Sequence, residues 1–318
     1  MKVSVYCTVY NHEKYIRSAL EGFVSQITNF DYEVYVHDDA STDRSADIIR
    51  EYAQKYPNII KPIFQTENQY SKKVDIFETF ICPQLSGDYI ACCEGDDYWI
   101  DPHKLQIQAD FLDSHPEYCA CVHNSYLHDL RTGKQTVMYG QEDRDIGFLD
   151  VVQSGSACYQ TASLMHRREY ALNRPDFYYN TIKHGFSDYP LSIYLALSGK
   201  IRYLGKIMSV YRFGSASSWT ASNTRDPHKN ALFYLHTVQM LEEVNTYTQG
   251  EYEAVIRPII LRNEYEALYY DEHYGQLRKP PYRSLYLAQP LSHRTKTYLK
   301  QFAKPFYHIY RRLKYARL

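Results

Sequence analysis

The chain has no run approaching the roughly 18 apolar residues of a membrane-spanning helix, so nothing in it reads as a span. No C-x-x-C pair occurs among the seven cysteines, Cys7, Cys82, Cys92, Cys93, Cys119, Cys121 and Cys158, which argues against a structural zinc site. Cys92-Cys93 and Cys119-x-Cys121 lie in apolar, strand-like runs and are expected to act as small buried hydrophobes. The N-terminus, MKVSVYCTVY, enters a strand with no leader-like apolar run. Together with the odd cysteine count, this predicts a reducing compartment and a cytoplasmic chain. Acidic residues are missing after Glu272: the last 46 residues carry 11 Lys and Arg and no acid. Residues 1–272 hold 25 basic against 37 acidic side chains. An acidic body with a basic tail points to an anionic partner for the tail.

What is abundant is tyrosine, 34 in 318 residues. Tyrosine joins a flat apolar face to a polar tip, which suits clefts, interfaces and membrane surfaces alike. The apolar content of 44% permits a sizeable core. Strand-like runs at Val3–Val9, Tyr32–His37, Ile59–Phe64, Tyr89–Cys93 and Tyr118–Tyr126 alternate with helical periodicities. The first helix carries Ile16, Ala19, Leu20, Phe23, Val24 and Ile27 on one face. A helix is expected around 75–85, a strand over Tyr159–His166, a helix over Asp188–Leu197 and strands over Lys200–Phe213. This alternation predicts a parallel sheet covered on both faces. Ligands bind such sheets at the carboxyl ends of strands.

Two of those strand ends are dense in acid. Asp38-Asp39-Ala40-Ser41-Thr42-Asp43 follows the second strand, and Glu94-Gly95-Asp96-Asp97 follows the fourth. Turn and cap chemistry accounts for Ser41 and Asp43. It accounts poorly for two consecutive acids at a buried strand end. Three acids in four residues repel one another unless a cation sits among them, and hard Mg²⁺ or Mn²⁺ takes oxygen ligands. The alternative is a solvated acidic turn. Asp188, in Ser187-Asp188-Tyr189-Pro190, falls at a predicted helix start, where it can be a cap or a base.

In order along the chain come strand–Thr8-Val9-Tyr10-Asn11–helix, DDASTDRS, EGDDYWIDPHKL, SDYPLSIYLA and a strand ending Tyr211-Arg212. This series resembles the family 2 glycosyltransferases over roughly residues 1–213. The resemblance implies an α/β chain of GT-A fold: a Rossmann-like nucleotide-binding sheet with helices on both faces, plus a C-terminal helical region. It implies an inverting transferase moving a sugar from a nucleotide-sugar donor, with UDP-sugar favoured. The acceptor would be a hydroxyl of a glycan or lipid-linked glycan in surface polysaccharide synthesis. Thr8, Tyr10, Asn11, Asp38, Asp39, Lys73 and Asp96 would bind the donor, Tyr10 by stacking on the base. Asp97, Asp96 and Glu94 would hold Mn²⁺ or Mg²⁺, and Asp188 would be the catalytic base. The chain departs from the family pattern in having Glu94 for the first acid and Ser187-Asp188 for Glu-Asp. It also lacks an arginine over Gln65–Val74, which leaves Lys72 or Lys73 near the diphosphate.

The domains are expected at 1–222 (transferase), 223–275 (helical extension) and 276–318 (basic amphipathic tail). The Ser- and Thr-rich stretch Gly214–Thr220, with Trp219, reads equally as a closing lid or a linker. In the tail, Leu299, Phe302, Phe306, Ile309, Leu313 and Ala316 share one helical face amid Lys and Arg. That pattern suits an anionic membrane surface, the inner face of the plasma membrane, or packing on the acidic body or a second subunit. Nothing in the body forms a basic groove for nucleic acid. Two other functions compete with the transferase. A sugar nucleotidyltransferase usually needs a glycine-rich basic loop after the first strand, but Thr8–Glu13 has no glycine and one acid. A non-catalytic nucleotide- or carbohydrate-binding scaffold would use the same strand ends without turnover.

Overall fold

The computed structural model describes residues 1–215 and 226–302, which form two units, Met1–Ala221 and Ser222–Leu318. The expected lid over Gly214–Thr220 lies outside the described residues from 216 on. So does the tail face from 303 on.

Unit 1 carries a ten-stranded sheet among the described residues. Its strands are β1 (Val3–Val9), β2 (Tyr32–Asp38), β3 (Ile60–Phe64), β4 (Tyr89–Cys92), β5 (Tyr98–Trp99), β6 (Tyr118–Asp129), β7 (Lys134–Val137), β8 (Arg144–Ile146), β9 (Met165–Arg167) and β10 (Lys200–Phe213). They pair in the order β3-β2-β1-β4-β9-β6-β10-β5, with β7 on β6 and β8 on β10. β1 pairs in parallel with β2 and β4, and β2 with β3, which brings three acid- or hydroxyl-rich strand ends to one edge.

The core follows from the period-two alternation of β1. Val3, Val5, Cys7 and Val9 point to one face and are at most 2% exposed. There they meet Leu20 and Phe23 of the helix Ile16–Val24, Ile49 and Tyr52 of the helix Ser45–Lys55, and Leu105 of the helix Lys104–Ser114. Tyr6 points the other way, toward Phe77, Ile81 and Ala171. All seven cysteines are buried and free, filling space as small hydrophobes.

Three local features differ from the sequence-based expectation. The sheet is mixed: β9 runs antiparallel to both β4 and β6. The strand expected over Tyr159–His166 is a short helical turn, Thr161–Ser163, followed by β9. In that turn the backbone groups are taken by side chains: Ser163 Oγ donates to Gln160 O, and Trp99 Nε1 to Ala162 O. The expected helix over 75–85 is a wide turn, Phe77–Ile81, then a tight one, Cys82–Gln84. Pro83 lacks the N–H that a continuous helix would use there.

Directly behind the second acidic turn lies a buried lysine. Lys104 is 0% exposed. Its amine donates to Gln108 Oε1 at 2.7 Å and sits 4.1 Å above the Trp99 ring. Burial pushes this ammonium down to about 7, well below an unfolded value of about 10.4. Folding therefore sheds a proton between those two pH values. The resulting penalty is full below the folded pKa and is relieved as pH climbs from about 7 to about 10. Lys104→Met is expected to remove this rise in stability with pH and to leave the variant the more stable protein near pH 7. Urea unfolding at pH about 7 and about 10 checks this; parallel pH dependence in both proteins would contradict it.

Unit 2 is helical. Asp226 caps the helix Pro227–Tyr247 by accepting from His228 N and Lys229 N, with Pro227 at its first position. The helix Glu253–Tyr270 packs beside it, and Met240, Leu241, Val244, Ile256 and Ile260 are buried. Tyr265, Tyr274 and Leu277 form a second apolar cluster. The shorter helices Arg283–Ala288 and Leu291–Phe302 follow.

Candidate active site

The loops after β1 and β2 are stitched together by side chains. Asn11 N donates to Ser41 Oγ at 2.9 Å and His12 N to Ser45 Oγ at 2.8 Å. Glu13 N donates to Asp43 Oδ2 at 2.9 Å, and Thr42 N to Asn11 Oδ1 at 2.8 Å. Asn11 and Ala40 adopt left-handed backbone, φ 56° and 58°. The predicted donor residue Asn11 therefore already has a structural task, because its side chain holds the neighbouring loop.

The two acids ending β2 have separate tasks. Asp39 is 3% exposed. Its Oδ1 accepts from Gln69 N at 2.7 Å and its Oδ2 from Tyr70 N at 3.0 Å. Both oxygens thus fold the loop after β3 that carries Lys72 and Lys73. Lys72 pairs with Glu67, and Lys73 stands next to it at φ 59°. Asp38 accepts from Ser41 N through Oδ2, while its Oδ1 is buried with no hydrogen-bond partner among the described residues. A buried acceptor without a donor is costly unless a ligand supplies one. Tyr10, predicted to stack on a base, is 42% exposed at the end of the stitched loop.

The acidic turn after β4 packs closely on β1. A side chain at Gly95 would meet Val9 Cγ2 at 2.8 Å and His12 Nδ1 at 2.9 Å, so this approach requires glycine. Asp97 is 1% exposed and faces inward. Its Oδ2 accepts from Gln160 Nε2 at 2.6 Å and its Oδ1 from Arg212 N at 2.8 Å. Burial and then Asp96 raise its carboxyl pKa, against the pull of Arg212 and Gln160. Glu94 is half-buried; its carboxyl is raised by burial, then by Asp188, Asp96 and Asp97. His12 is held below the usual imidazole range by burial, so it supplies no fixed positive charge to the turn.

Glu94, Thr8 and Asp188 line one cavity of about 180 Å³, with Tyr6, Tyr159 and Tyr178 among its aromatic walls. Asp188 is the first residue of the helix Asp188–Ser198, whose start is made without a side-chain capping bond. Ser192 Oγ donates back to the Asp188 carbonyl at 2.7 Å and lies 2.8 Å from the Tyr159 hydroxyl, which can donate to it, tying the helix start to the cavity wall. Solvent reaches Asp188 through the cavity mouth, and the crowded walls still raise its carboxyl, against a hydrogen bond from Thr161. The cavity lining contains Asp75, Glu94 and Asp188 and, among the described residues, no Lys, Arg or His.

The structure thus gathers Thr8, Glu94 and Asp188 around one cavity and places Asp96 and Asp97 in the adjoining turn. Asp38, Asp39, Tyr10 and Lys73 lie on the neighbouring loops. Two residues given no role from the sequence join them. Arg212, the last residue but one of β10, stacks 4.2 Å over Tyr98 and lies 5.3 Å from the Tyr15 ring, and its Nη1 donates to the Asp96 carbonyl at 2.7 Å. The advance sign of Arg212 was its place in the Tyr211-Arg212 strand end that closes the motif series, with no role attached to it. Gln160 had no sign at all.

Among the described residues, no three His, Cys, Asp or Glu side chains converge as a ready-made metal cage. The carboxylates of the turn are nonetheless hard oxygen donors. A divalent ion that takes one or two carboxylates, with substrate phosphates and water completing its shell, needs no such cage. The residues present fit that kind of ion.

Residues 4–170 match the family model described as Glycosyl transferase family 2. An uncharacterized protein of Mycobacterium tuberculosis is 34% identical over 227 residues, which is 70% of this chain and 62% of the relative. The chain therefore spans less than two thirds of that relative's length. Among solved structures, Staphylococcus aureus TarS 1-349 in complex with UDP-GlcNAc superposes with a TM-score of 0.59 at 18% identity, covering 94% of this chain and 79% of that one. A mannosyltransferase from Pyrobaculum calidifontis, in complex with GDP-Man and Mn2+, superposes with a TM-score of 0.52 at 15% identity, covering 94% and 84%.

Proposed function

The chain belongs to glycosyl transferase family 2 and has the GT-A fold, and from that premise we propose that it is an inverting, metal-dependent transferase using a nucleotide-sugar donor, with UDP-sugar favoured. The observation that carries this reading is the pairing of Glu94 and Asp188 on the wall of one cavity at the carboxyl ends of parallel strands. Tyr10 stacks on the base, and the unmatched Asp38 Oδ1 accepts its N–H. Asp39 shapes the loop that brings Lys73 toward the diphosphate, and Thr8 lines the sugar end. Asp96 and Glu94, in the turn that Asp97 braces, would hold Mn²⁺ or Mg²⁺. Such an ion supplies charge neutralisation at the leaving diphosphate.

Asp188 removes the proton from the acceptor hydroxyl. That oxygen attacks the anomeric carbon on the face opposite the diphosphate. The new C–O bond forms as the bond to the nucleotide breaks, and the configuration inverts. A raised carboxyl pKa suits Asp188 to this task, because a base near the working pH transfers protons best. The acceptor on this reading is a glycan or lipid-linked glycan at the cytoplasmic face of the plasma membrane, as in surface polysaccharide assembly.

A cavity with three carboxylates and no basic lining residue repels a second negative charge on the sugar. On this reading a neutral sugar is favoured, because the ion on Glu94 is taken up by the diphosphate and the lining offers no further positive charge. Nucleotide release from UDP-glucose, UDP-galactose and UDP-N-acetylglucosamine, with Mn²⁺ and then with chelator, tests the reading. One neutral donor is expected to be hydrolysed slowly, with loss of signal on chelation and at least roughly tenfold slower release from UDP-glucuronate. Binding of donors without any turnover, even with a range of glycan acceptors, would favour the scaffold reading. A requirement for a nucleoside triphosphate would favour the nucleotidyltransferase.

A further inference from the structure

The helix Leu291–Phe302 in unit 2 is turned opposite to what burial of apolar surface would dictate. Its inward side carries polar and cationic groups. Thr297 is buried, His293 stacks 4.7 Å from the Tyr269 ring, and the Lys300 amine lies 5.3 Å from Tyr269 and 5.4 Å from Tyr274. Its outward side carries three of its four large apolar groups, while Leu299 is half-buried. Leu291 is 70% exposed, Tyr298 53% and Phe302 59%. Positions 291, 298 and 302 are spaced 7 and 4 apart, which makes one continuous helical stripe. Leu287 on the preceding helix is 52% exposed as well.

Exposed aromatic and leucine side chains in a row are unfavourable in water and mark a surface that is covered in use. The charge around the stripe selects what covers it. The Arg278 guanidinium lies 5.0 Å from the Phe302 ring and 5.8 Å from Tyr298, and Arg283 is exposed on the neighbouring helix. From residue 273 onward there is no acid at all. A second copy of the same face would set arginine against arginine. An anionic bilayer meets both features: Leu, Tyr and Phe enter the headgroup–acyl boundary, and the guanidinium groups stay level with the lipid phosphates.

We propose that the stripe of Leu291, Tyr298 and Phe302, with Arg278 beside it and the exposed Leu287 and Arg283 on the preceding helix, is a docking surface for an anionic lipid bilayer. This rests on unit 2 alone and is independent of the transferase reading. It differs from the tail face expected from the sequence, which grouped Phe302 with Leu299: Leu299 is half-buried, and Phe302 shares its exposed stripe with Leu291 and Tyr298.

The test is flotation of the full chain with phosphatidylglycerol-containing vesicles and with pure phosphatidylcholine vesicles. Binding is expected to the anionic vesicles, weaker to the neutral ones, and reduced by salt. The triple variant Leu291→Ser/Tyr298→Ser/Phe302→Ser should lose at least about tenfold in vesicle affinity. Its thermal melt and its nucleotide chemistry should match the parent, since all three side chains point outward. Arg283→Glu should weaken binding several-fold, and most at low salt. Failure of the parent to float would overturn the proposal. So would a triple variant that floats as well as the parent, because basic charge alone would then account for the binding. A parent that ignores vesicles but forms a dimer which the triple variant loses would assign the face to a second copy instead.

Discussion

Asp188→Asn is expected to lower kcat for glycosyl transfer by roughly 10²- to 10⁴-fold while leaving donor binding nearly unchanged. The amide keeps the size and polarity of the side chain at the helix start and removes the proton acceptor. Calorimetric titration of the donor and steady-state transfer, measured on the same preparation, separate the two effects. A matched loss of binding and turnover would mean that Asp188 holds substrate rather than moves a proton. The pH profile gives a second readout. The crowded cavity walls raise the Asp188 carboxyl from its ordinary value even though solvent reaches it through the mouth. The carboxylate form, which is the base, is thus lost at a higher pH than for a free aspartate as the solution is acidified. The acid limb of kcat/KM should fall off above the usual carboxylate range. In Asp188→Asn the limb should change in midpoint and shrink, because only Glu94 of the pair still titrates there. Glu94 titrates against Asp188 in the same cavity, so the limb belongs to the pair and its midpoint is not that of either residue alone.

Asp97 yields the second large effect, and its two variants should diverge. Asp97→Ala strands two buried donors, the Arg212 N–H and the Gln160 amide. Each unsatisfied donor costs about 1–3 kcal/mol, so a loss of about 2–6 kcal/mol and a clear drop in Tm are expected. Arg212 is also released from its fixed start, and with it the guanidinium that braces the Asp96 carbonyl. Asp97→Asn should be far milder. Its Oδ1 still accepts from Arg212 N. Its new NH₂ can meet Gln160 Oε1, which is buried without a partner among the described residues, once the Gln160 amide turns over. Stability within about 1 kcal/mol of the parent is expected. If Asp97 braces the turn, Asp97→Asn retains most of its activity at saturating Mn²⁺ and shifts the Mn²⁺ requirement little. If Asp97 binds the ion directly, the same stable variant needs at least about tenfold more Mn²⁺. Thermal melts beside a Mn²⁺ titration of activity distinguish these outcomes, because the alanine variant alone would confuse loss of fold with loss of metal.

Much of the site was legible because its parts are local. A buried, largely apolar strand followed by polar or acidic residues is a pattern within ten residues, and it marked the ends of β1, β2 and β4. The order of those motifs identified the family. The helix beginning at Asp188 was visible in its periodicity and in Pro190. Local pattern also misled. The Tyr159–His166 run has strand composition, yet its backbone is claimed by Ser163 and Trp99, which no window of that length contains together.

The sequence by itself determined which segments bury one face, where strands end in carboxylates, and that all acid stops at Glu272. These depend on side-chain chemistry at short spacing, and short spacing is what alternation and helical period express. Only the tertiary structure decided which carboxylate faces inward, since the partners of Asp97 lie 63 and 115 residues away. It alone inserted β9 antiparallel between β4 and β6, bringing Gln160 beneath the acidic turn. It alone turned Leu291, Tyr298 and Phe302 outward. Strand order and the packing of distant elements set these outcomes. Once Lys300 and His293 found aromatic rings inside, the apolar side of that helix was left facing out.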